Sequence, residues 1–224
     1  MAAVNAAALA TMDGLTTPEE PTRYARITAT RRVAVVSDDE DAQLMLAYGR
    51  GEMRAFETLY SRHRGALYRY LLRQARDGEV ANDLFQEVWS RVVVNRSRYE
   101  PRAKFRTFLF TLAHNCFIDH CRRMKARPTG VVLEDADAAD LLPADEDARP
   151  ERTLERDEGT RRYRMALASL PAEQRDVYLL HEESDLSLEE IARVTGVGAE
   201  TAKSRLRYAV NKLKAALSAV EDLA

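Results

Sequence analysis

Along most of this chain the large apolar residues return every three or four positions, a spacing that a helix can bury on one side and a strand cannot. From Met53 to Arg76 the inward set is Phe56, Leu59, Tyr60, Leu67, Tyr70 and Leu71, which leaves Arg62, Arg64, Arg69 and Arg73 on the opposite side. After the break at Asp77-Gly78, a second pattern runs from Val80 through Leu84 and Val88 to Val92, with Trp89 beside it. A third spans about Phe105 to Arg123 and contributes Phe108, Leu109, Leu112, Cys116 and Phe117. No period-two strand pattern and no internal repeat is evident. With only 9 Gly and 7 Pro in 224 residues, a turn-rich sandwich is disfavoured, and the fold class expected is all-α.

The charges divide the chain. The formal net charge is only -2, yet residues 43–127 carry 17 Lys+Arg against 8 Asp+Glu, a net of +9, while residues 128–160 carry 3 against 11, a net of -8. The acidic stretch also holds Pro128, Pro143 and Pro150 and few large apolar residues, so a flexible, self-repelling linker is expected over 128–158. Residues 1–42 show little periodicity and read as a mobile extension. The acidic cluster after Ser37 suggests a helix start there, with Leu44, Leu46 and Tyr48 opening the first convincing helical pattern. Two small helical domains are therefore expected, a three-helix bundle at 43–127 and a second module at 159–221. In the latter, patterns at Arg161–Leu170, Ala172–Glu183, Leu188–Val194 and Ala199–Leu217 are separated by Pro171, Asp185-Leu186-Ser187 and Thr195-Gly196-Val197-Gly198.

Other classes find little support. Met1–Ala10 has no basic start and Asp13 interrupts the apolar run, so no secretory signal is expected. No apolar run approaches the roughly 18 residues of a membrane span. Cys116 and Cys121 lie five apart on different faces of one helix, poorly placed for a disulfide, and a soluble cytoplasmic protein with reduced thiols is expected. His114, Cys116, His120 and Cys121 spread around that helix and do not converge as four zinc ligands should, so no metal is expected. A Gly-rich phosphate loop, a nucleophile–base spacing and a carboxylate cluster in an apolar pattern are all missing, so neither an enzyme nor a cofactor is expected.

The second module carries the sharpest local signal. Ser187-Leu188-Glu189-Glu190 has the spacing of a capping box, in which the Ser187 hydroxyl accepts from the Glu190 amide and the Glu190 carboxylate accepts from the Ser187 amide. Leu188, Ile191 and Ala192 then face inward and Gly196 supplies a tight turn. Ala202, Leu206, Ala209, Leu213 and Leu217 form the inner stripe of the next helix. Its outward residues Thr201, Lys203, Ser204, Arg205 and Arg207 are rich in hydrogen-bond donors near the N-terminal half, the part of a helix-turn-helix that enters a DNA major groove.

Leu170-Pro171-Ala172-Glu173-Gln174-Arg175, Leu188-Glu189-Glu190-Ile191-Ala192 and Thr201-Ala202-Lys203-Ser204-Arg205-Leu206 together resemble region 4 of extracytoplasmic-function (ECF) sigma factors of bacterial RNA polymerase. Asp83-Leu84-Phe85-Gln86-Glu87-Val88-Trp89 and Phe105-Arg106-Thr107-Phe108-Leu109-Phe110-Thr111-Leu112-Ala113-His114-Asn115 resemble that family's region 2, in the family's order. The resemblance implies a non-catalytic factor that binds core RNA polymerase and directs promoter-specific transcription initiation. Region 2 would dock on the clamp helices of the largest subunit and melt the minus-ten element. Region 4 would bind the flap and read the minus-thirty-five element. Asp83, Leu84, Gln86 and Glu87 are then the polymerase-docking set. Around Arg98–Arg123, Arg98, Lys104 and Arg106 accompany Tyr99, Phe105 and Phe108, a mixture suited to single-stranded DNA, and Asn115, Asp119, Arg122 and Arg123 match the family's DNA-facing positions.

Two departures matter. Val80 and Asn82 stand where the family's docking helix usually has carboxylates, so docking is expected to be weak unless an added negative charge, for instance phosphorylation of a nearby Ser or Thr, or a partner compensates; an anti-sigma protein and a Ser/Thr kinase are the candidates for controlling access. Tyr208 and Val210 replace later basic positions of region 4, which implies fewer phosphate contacts. The rival reading is a stand-alone helix-turn-helix transcriptional regulator that binds an operator unaided as a dimer.

Overall fold

The structure, a computed structural model, describes residues 39–126 and 150–221, with side chains to 218 and, in the second stretch, from 159 onward. It is helical with no strand among the described residues. The extension up to residue 38, Ser37 included, and residues 127–149 of the expected linker lie outside the described residues, while the acids Asp39, Glu40 and Asp41 that follow Ser37 are described.

In the first group α1 (Glu40–Gly49), α2 (Met53–Ala75), α3 (Gly78–Val94) and α4 (Phe105–Ala126) pack together, with a single 3-10 turn, Arg96–Arg98, between the last two. The helix expected from the acidic cluster and Leu44, Leu46 and Tyr48 thus joins the three-helix bundle as a fourth member, because Ala42, Met45, Ala47 and Tyr48 close α1 over α2. Asp39 starts α1, accepting from the Asp41 amide, and the same carboxylate accepts from the Phe105 amide at 2.6 Å, so one side chain caps the starts of both α1 and α4. Asp77 caps α3 through the Glu79 and Val80 amides. Gly49 is required for packing, since a Cβ there would lie 2.7 Å from the Arg96 carbonyl oxygen.

Leu59, Leu67, Tyr70, Leu71, Val88, Val92, Phe105, Leu109, Phe110 and Leu112 are fully buried, as the helical spacing predicts for most of them. A chain of ring contacts, from Tyr48 through Phe56, Trp89, Tyr60 and Phe85 to Tyr68, has centroid separations of 4.8–6.1 Å and ties α1, α2 and α3 into one core.

The second group comprises α5 (Pro150–Ala168), α6 (Ala172–Ser184), α7 (Leu188–Thr195) and α8 (Ala199–Glu221). Here α5, α6 and α7 all rest on α8, through Leu167, Leu170, Val177, Leu180, Ile191, Ala202, Ala209 and Leu213. Helix α5 begins at Pro150, inside the stretch expected to be linker. Proline tolerates the first helical turn because its missing N–H would have no intrahelical partner there. No helix among the described residues is long and apolar enough to cross a membrane. The two groups also touch each other: α2 lies against α6, and α4 against α6 and α7.

Candidate polymerase and nucleic-acid interfaces

The helix-turn-helix forms as its spacing predicts. Ser187 Oγ accepts from the Glu190 amide at 3.3 Å and Glu190 Oε2 accepts from the Ser187 amide at 2.8 Å, completing the capping box. Gly196 ends α7 in the left-handed region at φ 69°, a conformation that a β-carbon disfavours. On α8, Thr201, Lys203 and Arg207 are exposed and Ser204 is half-buried. Arg205 is drawn back by an ion pair with Glu173 of α6, and the Arg207 guanidinium lies 5.3 Å from the centroid of the exposed Tyr208 ring. Leu206, expected on the inner stripe, is only half-buried.

The docking set on α3 divides. Asp83 and Gln86 are exposed, as is Asn82, whereas Leu84 is 2 % exposed and belongs to the core. Leu84 is thus removed from the docking surface: it lies on the same buried stripe as Ala81, Val88 and Val92, so it supports the helix from behind. Glu87 is half-buried, paired with Arg91 and lying 3.6 Å from Arg123 of α4, so a residue expected at the polymerase and one expected at DNA share an ion pair. Val80 is half-buried, and the exposed face of α3 carries Asp83 between Asn82 and Gln86.

The residues expected at melted DNA fall into three settings. Arg98 is exposed on the 3-10 turn; Asn115 is half-buried; Arg122 is exposed and 3.4 Å from Asp119, one turn away. Tyr99, Phe105 and Phe108 form a ring cluster with centroids 5.2–6.3 Å apart; Phe105 and Tyr99 are buried and Phe108 half-buried. Phe105 is therefore core. Its ring also lies 5.5 Å from His63, whose buried imidazole meets Asp41 at 2.7 Å and whose pKa burial pushes down.

Lys104 and Arg106, in contrast, face the second helical group. Lys104 Nζ is 3.4 Å from Glu190 Oε1, which also accepts from the Thr107 hydroxyl. Arg106 donates to Asp185 Oδ2 at 2.6 Å and to the Ser184 carbonyl at 3.2 Å. Further along, the buried Glu183 carboxylate accepts from Arg69 at 2.7 Å and from Arg73. Asp176 Oδ1 accepts from Tyr70 Oη at 2.7 Å and Gln74 Nε2 at 2.6 Å, and His114 Nδ1 lies 2.9 Å from Asp176 Oδ2, outside hydrogen-bonding geometry. Burial and the neighbouring Asp176 raise the Tyr70 hydroxyl well above its usual value, so it remains a donor. Burial opposes ionisation of Glu190, but the Ser187 amide and Lys104 outweigh it and hold the carboxyl below its usual range.

Sequence reasoning did not identify Asp176, Glu183 and Asp185 as partners of the first group. The available signal was the seven-residue spacing of Asp176 and Glu183 within an otherwise apolar face of α6. The free cysteines Cys116 and Cys121 occupy packed positions on α4, with the Cys116 thiol pushed up to about 12 by burial. Among the described residues, no cluster of three or more His, Cys, Asp or Glu side chains could hold a metal.

Comparison with known proteins identifies both groups. The family model "Sigma-70 region 2" matches residues 59–127 and "Sigma-70, region 4" matches residues 160–213. The chain is 31% identical over 172 residues to the RNA polymerase sigma factor CarQ of Myxococcus xanthus, covering 76% of this chain and 94% of that one. It is 30% identical to the ECF RNA polymerase sigma factor SigM of Mycobacterium tuberculosis, covering 77% and 82%. Among solved structures, CnrH in complex with the cytosolic domain of CnrY aligns with TM-score 0.58 at 24% identity, covering 81% of this chain and 99% of that one. The sigma factor RpoE in complex with the anti-sigma factor NepR from Bartonella quintana aligns with TM-score 0.61 at 23% identity, covering 73% and 96%. With both regions matched in order and a relative above 30% identity covered almost end to end, this chain belongs to the RNA polymerase sigma factors, in their extracytoplasmic-function group.

Proposed function

We propose that residues 43–127 act as region 2, docking on the clamp helices through Asp83, Gln86 and Glu87 and gripping melted minus-ten DNA through Arg98, Lys104, Arg106, Asn115, Asp119, Arg122 and Arg123. Residues 159–221 act as region 4, bind the flap and read the minus-thirty-five element through Thr201, Lys203, Ser204, Arg205 and Arg207. The observation that carries this reading is the completed helix-turn-helix, with its capping box, left-handed Gly196 and exposed Thr201, Lys203 and Arg207, following a helical bundle that exposes Asp83 and Gln86. The factor does no chemistry of its own and works in the cytoplasm, where the polymerase is. Run-off transcription with core polymerase on a genomic fragment library tests it: discrete transcripts that require this chain are expected, and none above core polymerase alone would refute it. Footprinting by the chain unaided, on paired half-sites, would favour a stand-alone regulator instead.

Control is proposed at two places. An anti-sigma protein is one partner, in keeping with the complex of RpoE with the anti-sigma factor NepR. A Ser/Thr kinase is the other, since a phosphate near Asn82 and Asp83 would restore charge to the docking helix. Unmodified protein saturating core polymerase at low concentration would remove the need for the kinase.

A further inference from the structure

In every ion pair named between the two helical groups the cation lies on the first and the anion on the second: Arg69 and Arg73 with Glu183, Lys104 with Glu190, Arg106 with Asp185. Tyr70 and Gln74 donate to Asp176 and Thr107 to Glu190 in the same sense, while one contact runs the other way, Arg175 Nε donating to Gln74 Oε1 at 3.5 Å. A basic surface meeting a row of carboxylates has the chemistry of a basic surface meeting a phosphate backbone. The side chains of Glu183 and Glu190, 4% and 6% exposed, are covered only where the two groups meet, and each regains water as a hydrated ion when the groups part. Asp185, with its side chain 84% exposed, stands at the solvent edge of the contact.

We propose that α6 and α7 form an intramolecular nucleic-acid mimic. Asp185 and Glu190 occupy Arg106 and Lys104 at the start of α4, and Glu183 holds Arg69 and Arg73 of α2 beside them, so that the chain closes part of its own DNA-melting face and opens it only when a competing polyanion, the single-stranded DNA backbone, displaces the carboxylates. Glu190 ties this closure to the helix-turn-helix, since one of its oxygens completes the capping box and the other holds Lys104 and Thr107. The proposal rests on the assignment of Lys104 and Arg106 to DNA. A closed majority state lowers apparent DNA affinity by the fraction of molecules that are open, so weakening the closure must tighten binding.

The test uses the full chain. The variant E183Q/D185N/E190Q keeps side-chain size, and glutamine retains the capping-box acceptor. Binding of a labelled oligothymidylate, followed by fluorescence anisotropy, is expected to tighten by about tenfold. Amide hydrogen exchange in peptides covering α4 and α7 is expected to quicken. The control E57Q/E79Q/E200Q makes the same change of net charge at exposed residues and is expected to move affinity by less than about twofold. Should the triple variant not fold, D185N alone serves, because asparagine suits the φ of 48° at that exposed site. Its expected tightening is about twofold to threefold. Equal tightening by the control, or unchanged exchange and affinity in the folded latch variant, overturns the closure. The assignment beneath it is tested separately by K104A/R106A in holoenzyme on a promoter found by run-off transcription. Unchanged promoter opening there refutes the DNA role, whereas lost opening beside an unresponsive latch variant refutes the closure alone.

Discussion

Replacing Glu190 with alanine should damage the start of α7 and the contact between helical groups at once, and the size of the effect can be worked from its partners. The Ser187 amide loses its acceptor at 2.8 Å, a capping loss of about 1 kcal/mol. Lys104 is 55% exposed, so that ion pair contributes no more than about 0.5 kcal/mol after solvent screening. The Thr107 hydroxyl loses a long contact at 3.4 Å, and truncating a side chain only 5% exposed leaves a small void. Together E190A should cost about 2 kcal/mol, which for a chain of this length lowers Tm by about 4–8 °C. E190Q, whose amide oxygen still accepts from Ser187, should cost less than about 1 kcal/mol. Because the folded carboxyl titrates below its ordinary 4.5, ionised Glu190 stabilises the fold above that pH, and the contribution is lost as pH falls through the lower folded value. Thermal melts followed by circular dichroism, from neutral pH down to acid, should therefore show the gap between wild type and E190Q closing in acid. A melting point for E190A within about 1 °C of wild type, or E190Q as damaging as E190A, would refute this account of the capping box.

Other positions give further expected outcomes. Asp39→Ala removes the cap of α1 and of α4 together and should cost about 2 kcal/mol in urea unfolding, roughly twice the loss at the single-helix cap Asp77, while Asp39→Asn, which keeps one acceptor oxygen and turns an amide donor on the other backbone N–H, should lose about half of that or more. Leu84→Ala should destabilise the fold by about 2–5 kcal/mol, whereas Asp83→Ala should leave stability within about 0.5 kcal/mol and weaken association with core polymerase in a pull-down. Lys203→Ala and Arg207→Ala should each lower the salt dependence of holoenzyme binding to promoter DNA, reducing the slope of log K against log salt by about 1 for each phosphate contact removed.

The local signals were legible because each is closed within a few residues. The three-and-four spacing of Leu59, Leu67 and Leu71 places them on one stripe, and all are fully buried. Ser187 and Glu190 are three apart, and Gly196 takes the left-handed conformation that the turn demands. The motifs of both regions could be read for the same reason, since each lies on one or two consecutive helices.

Tertiary structure decided what depends on distant partners. Asp39 caps α4 across 66 positions, a contact no local pattern announces. Leu84 looked like one of four neighbouring docking residues, yet its direction on α3 is set by the core beneath, where neither Asp83 nor Gln86 can turn. Lys104 and Arg106 have the composition of a DNA-contacting surface, but a charged side chain takes whichever counter-charge the fold brings to it. Here the carboxylates come from α6 and α7, 79 and 86 positions further along the chain. Periodicity determines which residues must be covered; only the docking of helix on helix determines by what, because that choice depends on shape and charge matched across space.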